Sequence, residues 1–301
     1  MTPIVYRPAR ADELQATQEL IVRSINDLTV RHGFGPMASV RQPDFQLFSH
    51  QDDPDGFWVA EADGEMLGCA FSWVAGGLWF LAELFVAPGH QGRRIGQELL
   101  ARSFEHAKRS GATNRALITF TFNVVSQGLY IRHGLLPRLP VYLFSARREE
   151  LRTGSRDEVL RHTLIEDAAT HRAALERFDA SALGFSRARH HGFLASDSAM
   201  TGALLHAGDE DVGYAYINAN GHVGPVAVAD PRLMGAAFRT ALELAADTGA
   251  PQISAFLPGV NDGALGIASA CSMRIGFPMV LVSERAFGDW SRYVPRNPGF
   301  M

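Results

Sequence analysis

The chain repeats itself, and the repeat limits what it can fold into more than any other feature. Gly111-Ala112 and Asn123 recur as Gly249-Ala250 and Asn261, both at an offset of 138 positions. Two matches at one offset mark an ordered duplication, so the 301 residues read as two copies of one architecture. Upstream, Gly56-Phe57-Trp58-Val59-Ala60 pairs with Gly192-Phe193-Leu194-Ala195-Ser196, and Leu67-Gly68-Cys69-Ala70-Phe71 with Val212-Gly213-Tyr214-Ala215-Tyr216. The charged stretch from Ser145 to Arg161 separates the copies and sets the expected domains at 1–150 and 151–301.

The first copy alternates strand and helix signals. A short strand at Ile4 to Arg7 precedes an amphipathic helix through Leu14, Thr17, Ile21, Ile25 and Leu28. A polar, proline-containing segment follows. Phe57 to Ala60, Met66 to Val74 and Leu78 to Val86 then form a three-strand meander with turns at Asp63-Gly64 and Gly76-Gly77. A helix through Leu99, Leu100, Phe104 and Ala107 ends at Gly111. Ala116 to Phe122 is a strand, Val124 to Arg132 a short helix and Val141 to Phe144 a last strand. The expected class is α/β, with an α+β mixed sheet.

Composition narrows the functions. Lys and Arg number 28 against 32 Asp and Glu, a net charge of -4, which offers no field for nucleic acid or anionic lipid and leans toward a cationic partner. Cys69 and Cys271 show no metal-ligand spacing and suit the core of a protein in a reducing compartment, so a cytoplasmic location is expected. The N-terminus lacks the pattern of a signal peptide. The uncharged run from Met66 to Ala82 is shorter than the roughly 20 residues of a spanning helix and is broken by Gly76-Gly77, so no membrane span is expected. His190-His191 has no ligand partner at metal spacing, and no metal is expected.

Chemistry concentrates after the third meander strand. Leu84-Phe85-Val86-Ala87-Pro88-Gly89-His90-Gln91-Gly92-Arg93-Arg94-Ile95-Gly96 places a strand, a glycine- and arginine-bearing loop and a helix start in succession. Converging backbone N–H groups and the helix dipole make such a loop an anion site, with pyrophosphate the natural guest. It matches neither the P-loop nor the dinucleotide fingerprint. The same segment also suits an ordinary strand-to-helix turn on the surface. Glu83 is the only charged residue between Leu78 and Val86, so its carboxylate should have a raised pKa and could relay a proton or, equally, orient a neighbour.

These residues resemble the GNAT superfamily of acetyl-CoA-dependent N-acetyltransferases. Gln91 to Gly96 is similar to the family's (Q/R)xxGx(G/A) signature, with Arg94 where the middle glycine is usual. Asn123-Val124-Val125-Ser126-Gln127-Gly128-Leu129-Tyr130-Ile131-Arg132-His133-Gly134-Leu135 resembles the family's Asn-x-x-Ala-x-x-Leu-Tyr-x-x-x-Gly-Phe segment, with Ser126 and Leu135 as departures. The resemblance covers residues 4 to about 147.

It implies two tandem GNAT folds and a slot between splayed strands, where backbone groups of Leu84, Phe85 and Val86 pair with pantetheine. Gln91, Gly92, Arg93, Arg94, Ile95 and Gly96 would hold the pyrophosphate, with Asn123 also at the cofactor. Tyr130 would protonate the departing thiolate, and Glu83 is the candidate base. The expected activity is transfer of an acetyl group from acetyl-CoA to a primary amine of a small molecule or peptide, by direct attack in a ternary complex. A non-catalytic acyl-CoA sensor and a purely structural module are the alternatives. An oligomer is left open.

The second copy lacks this equipment. Val228 to Gly249 is 21 positions where Val86 to Gly111 is 25, and the shortened loop carries Asp230, which repels phosphate, and Pro231, which lacks an N–H. Ala268 occupies the position of Tyr130. Residues 151–301 are therefore expected to be a degenerate GNAT-like domain kept for architecture or substrate binding, and the segment Phe287 to Pro295 is aromatic enough to pack over another surface, with the acceptor site left open as its place.

Overall fold

The computed structural model describes residues 3–152 and 159–301, so part of the charged stretch expected to separate the copies lies outside the described residues. The chain divides into two compact units, residues 1–136 with 282–285, and residues 137–281 with 286–301. Compactness thus cuts the chain at 136/137 and takes four residues from near its end, whereas the motif repeat divides it into 1–150 and 151–301.

The first unit runs β1 (Val5–Pro8), α1 (Leu14–Arg31), α2 (Asp44–Asp52), β2 (Phe57–Ala62), β3 (Glu65–Ala75), β4 (Leu78–Val86), α3 (Ile95–Arg109), β5 (Asn114–Phe120) and α4 (Val124–Arg132). The strands follow in spatial order β1-β2-β3-β4-β5, antiparallel except for the parallel pair β4 and β5. Helix α2 is an element of this unit that the sequence reading does not predict. Pro43 precedes its first turn, its polar residues outnumber its apolar ones, and the buried residue it contributes is Ser49. Helix α1 buries Leu14, Thr17, Leu20, Ile21 and Ser24 at helical spacing, and α3 buries Leu99, Leu100, Ser103, His106 and Ala107. Ile95 and Leu99 pack on Ala60, Leu67 and Ala70 of the sheet. A Cβ at Gly68 would lie within 3.2 Å of both helix side chains, so glycine there lets α3 seat closely.

One polar knot sits inside this unit. Trp79 Nε1 donates to His106 Nδ1 at 3.3 Å, which makes that nitrogen the acceptor and leaves Nε2 to donate to Asp53 at 3.0 Å. Ser72 Oγ lies 2.9 Å from the same Nδ1. Ser72 is buried, so this Ser-His-Asp arrangement holds β3, β4 and α3 together and presents no nucleophile.

The second unit contains β6 (Leu136–Arg147) from Pro137 onward, then β7 (Arg161–Leu164), α5 (Arg172–Leu183), α6 (Ala188–Ser196), β8 (Met200–Ala207), β9 (Glu210–Asn218), β10 (His222–Val228), α7 (Met234–Asp247), β11 (Gln252–Pro258), α8 (Asp262–Ala270), most of β12 (Arg274–Ser283) and β13 (Tyr293–Val294). Its sheet runs β6-β11-β10-β9-β8-β7, with β13 added against β10. Strand β6 pairs antiparallel with β11 from Val141↔Pro258 to Arg147↔Gln252. Residues 282–285 belong to the first unit, within which Glu284 donates its N–H to the Arg115 carbonyl of β5 at 2.9 Å.

The repeat survives in register. Gly68, Cys69 and Ala70 pair with Val86, Phe85 and Leu84, and Gly213, Tyr214 and Ala215 pair with Val228, Ala227 and Val226. Both ladders then slip by one residue, leaving Ala82 in one copy and Gly224 in the other as the extra residue of a bulge. One expected match fails. Gly192 to Ser196 lies in helix α6, so the counterpart of β2 is β8; a short apolar run without turn signals does not by itself distinguish strand from buried helix.

Candidate functional site

The site grows from the point where β4 and β5 part. Their parallel ladder pairs Leu78↔Asn114 through Leu81↔Leu117 and stops, although β4 continues to Val86 and β5 to Phe120. The bulge at Ala82 accounts for the break, because an extra residue bends one strand away from its neighbour. Leu84, Phe85 and Val86 keep their pairing with β3 on one side and have no β5 partner on the other. Unpaired backbone groups along such an edge are a template for an extended guest. The Val86 carbonyl is approached by Ser24 Oγ and Gln91 Nε2, each at 3.3 Å.

The loop after β4 ends at a helix N-terminus open to an anion. Gly92 has φ +78° and Arg94, the residue before α3, has φ +64°. Arg94 therefore adopts the left-handed conformation that glycine favours, and the backbone path of a glycine-bearing loop is kept at a cost of about 1 kcal/mol. No side chain caps this N-terminus, so its first N–H groups are unsatisfied within the helix. Arg93 and Arg94 are exposed, with Arg93 held by His90 Nδ1 at 2.8 Å. Ile95 is core rather than ligand-facing, contributing its backbone alone. A Cβ at Gly96 would meet only Val86 Cγ2 at 3.5 Å.

Glu83 faces α1 and α2. Gln46 Nε2 donates to its Oε1 at 2.7 Å, and Gln18 hydrogen-bonds it from α1. Burial pushes its carboxyl up to about 7 against the lowering effect of the two amides. Neither glutamine was singled out from the sequence, since contact across 37 positions leaves no local signal and α2 itself was not expected. Tyr130 is buried in α4, and burial pushes its phenol upward, so it stays protonated at neutral pH. Among the described residues its hydroxyl has no hydrogen-bond partner. Asn123 caps α4, accepting from Ser126 N at 3.2 Å through Oδ1, which leaves its Nδ2 as the group open to a guest.

Residues 24–135 match the Acetyltransferase (GNAT) family. This stretch is a GNAT domain. Both units have the GNAT fold, and solved structures follow the whole chain. A Pyrococcus horikoshii protein assigned as an acetyltransferase shares 18% identity at a TM-score of 0.74, covering 96% of this chain and 95% of its own. A GCN5-related N-acetyltransferase of Sphaerobacter thermophilus shares 17% at 0.67, covering 97% and 100%. A tandem GNAT protein from the clavulanic acid biosynthesis pathway shares 15% at 0.60, covering 95% and 98%. No curated protein matches the chain in sequence. Among the described residues no helix is long and apolar enough to cross a membrane, and no group of three His, Cys, Asp or Glu could hold a metal ion.

The second GNAT fold opens at the same point and is filled. The β10–β11 ladder stops at Val223↔Ala255, the counterpart of Leu81↔Leu117. Beyond it, β13 pairs with β10 through Val226↔Val294 and Ala227↔Tyr293, at the positions that correspond to Leu84 and Phe85. The counterpart of Glu83 is Pro225. Where α1, α2 and β3 surround Glu83, α5, α6 and β9 bring together Asp179, Arg187, His191 and Tyr214, with both Asp179 oxygens 3.1 Å from the Arg187 guanidinium. Burial alone would raise the Asp179 carboxyl, but Arg187 and His191 hold it well below the usual carboxylate range. Arg187 also donates to the Met301 carbonyl at 2.9 Å, fixing the tail. The loop from Val228 to Met234 is closed by Asp230, which accepts from Arg232 N at 2.9 Å and pairs with its guanidinium.

Proposed function

We propose that the first unit is an N-acetyltransferase that moves the acetyl group of acetyl-CoA to a primary amine by direct attack, and that the second unit carries no cofactor. The observation that supports it best is the parting of β4 and β5 after Leu81↔Leu117, with Glu83 two residues beyond the break and an uncapped helix N-terminus at the end of β4. In this reading pantetheine lies along Leu84 to Val86. The pyrophosphate meets the N–H groups from Gln91 to Gly96 with charge from Arg93 or Arg94, and Asn123 Nδ2 adds a donor.

An amine reaches the enzyme as ammonium and must lose a proton before it attacks. A carboxyl poised near pH 7 accepts that proton at neutral pH, with Gln18 and Gln46 holding its oxygens in place. The nitrogen lone pair forms a bond to the thioester carbonyl carbon, the adduct nitrogen gives up its second proton to water, and collapse of the adduct breaks the C–S bond. The sulfur leaves as thiolate and takes a proton or a strong hydrogen bond from Tyr130. The elevated phenol pKa makes donation to the sulfur more prominent than full proton release.

Calorimetry with acetyl-CoA, followed by an amine screen that reads free thiol, tests this function. Binding with amine-dependent thiol release supports it. Binding without release under any amine favours a sensor, and absence of binding favours a structural module.

A further inference from the structure

We infer that the acceptor amine of the first unit is carried on an apolar, planar body, which an aromatic wall made by the α1–α2 connection and the end of β5 receives. The inference rests on the transferase reading above and names its substrate class. Phe122 lies between three rings: His32 at 4.9 Å between centroids, Phe34 at 4.8 Å and Phe120 at 4.9 Å, the last two within 25° of parallel to it. Phe34 is 40% exposed and Phe122 half-buried, so the stack has an open side.

The wall stands on the same face of the sheet as Glu83. Helix α1 lies over that face of β4, touching Glu83 through Gln18 and the Val86 carbonyl through Ser24 Oγ at 3.3 Å. His32 and Phe34 directly follow α1 and stack on Phe122, so the rings at the end of β5 share the face on which α1 packs. Phe120 is three residues past Leu117 and Glu83 two past Leu81, which are paired. At about 3.3 Å per residue and one widened strand spacing, the ring and the carboxyl are on the order of 10 Å apart. An aryl group joined to its amine by a short chain spans that gap.

Charge selects this body over a polar one. Residues 33–40 and 116–131, which supply the wall, contain no charged side chain. A polycationic acceptor would find no carboxylate there for its other ammonium groups. Among the described residues, six of the twelve exposed large hydrophobic side chains fall in these parts: Phe34, Met37, Val40, Val124, Val125 and Ile131. The connection is held in shape by Asn26, whose Oδ1 accepts from Met37 N and Ala38 N at 2.8 Å, and by Thr29 Oγ1, which donates to the Gly35 carbonyl at 2.6 Å. A fixed apolar surface beside a proton acceptor is a binding wall more than a random patch.

The test compares 2-phenylethylamine, n-butylamine and spermidine with the wild-type chain and Phe34→Ala, reading free thiol and, separately, acetyl-CoA affinity by calorimetry. The expected result is a kcat/KM for 2-phenylethylamine at least tenfold above that for n-butylamine. Phe34→Ala should remove most of that preference, with acetyl-CoA affinity within twofold of wild type. Phe34→Tyr, which keeps the ring, should restore it. Spermidine as the best acceptor, or equal rates for the three amines, overturns the aromatic preference and leaves the transferase reading intact. Thiol release with none of the three overturns the aromatic-amine class, and the transferase reading falls with it only where the wider amine screen is also silent. A change in sedimentation on Phe34→Ala overturns the inference in favour of an interface between copies of the chain.

Discussion

Asn123 and Asn261 hold the same place in the two GNAT folds: each caps a nine-residue helix, accepting from Ser126 N at 3.2 Å and from Ala264 N at 3.0 Å. They differ at Nδ2. That of Asn261 donates to the carbonyls of Trp290 and Tyr293, at 3.1 and 3.2 Å, while that of Asn123 donates to no described residue. The same amide that would serve a guest in one copy ties down the tail in the other.

The energetic consequence follows from burial. Asn261→Ala removes a cap and leaves two buried tail carbonyls without their donor, which should cost about 2–4 kcal/mol. Asn123→Ala loses a cap alone, at about 1 kcal/mol. Urea unfolding of the two variants reads the difference, and equal losses would show that the tail contacts contribute nothing.

Gly96→Asp tests the anion loop. The site has room for a Cβ, with Val86 Cγ2 at ordinary contact distance, so the fold should tolerate the change. The added carboxylate sits in the first turn of α3, beside the expected phosphates. Acetyl-CoA should bind more than tenfold more weakly, about 1.4 kcal/mol or more. Unchanged affinity by calorimetry would place the cofactor elsewhere.

Tyr130→Phe keeps the buried ring and removes a hydroxyl that no described residue engages. Stability and acetyl-CoA affinity should therefore change little, while kcat falls by about 10²-fold or more. Steady-state kinetics showing turnover within threefold of wild type would exclude the proton-donor role.

Glu83→Gln separates base from spectator by pH. With the carboxyl raised to about 7, the wild-type rate should rise through pH 7 as it ionises. The variant should lose most near neutral pH and least at high pH, where the amine deprotonates unaided; a uniform loss would mean an orienting role. Stability has its own sign. The folded chain binds the Glu83 proton more tightly than the unfolded chain, so this contribution is full below about pH 4.5 and is lost as pH rises through 7. Glu83→Gln should therefore be more stable than wild type at pH 8, by about 1–3 kcal/mol, with little difference at pH 4. A denaturation series across that range reads it.

Local signals carried the elements that place the site. The apolar run from Leu78 to Val86, the glycines around Arg93 and the Asn123 segment are each written in a few adjacent residues, and β4, α3 and α4 lie where those signals put them. What is long-range was not readable. Gln46 reaches Glu83 from a helix with almost no apolar face, β6 pairs with a strand more than 100 positions away, and Tyr293-Val294 is too short to announce a strand. Beside β10, Tyr293 and Val294 take the edge positions that Leu84 and Phe85 leave without a β5 partner in the first copy.

The strictest prediction concerns stoichiometry. Both folds part their central strands at equivalent residues, so geometry alone would allow two acetyl-CoA molecules per chain. In the second fold, however, Tyr293 and Val294 already pair with Ala227 and Val226, and Gly224 approaches the tail so closely that a Cβ would sit 2.6 Å from the Pro295 carbonyl. Its loop spans six positions from Val228 to Met234 against nine from Val86 to Ile95, and the Asp230 carboxyl is held down at about 2 by Arg232, so it stays negative at every working pH. A phosphate there would meet a fixed negative charge and one N–H fewer, at Pro231. Calorimetry should give one acetyl-CoA per chain, abolished by Gly96→Asp and indifferent to Asp230→Ala. Two equivalents would add a site in the second unit, one that survives Gly96→Asp would transfer the site there, and either would make the tail a displaceable strand rather than a fixed one.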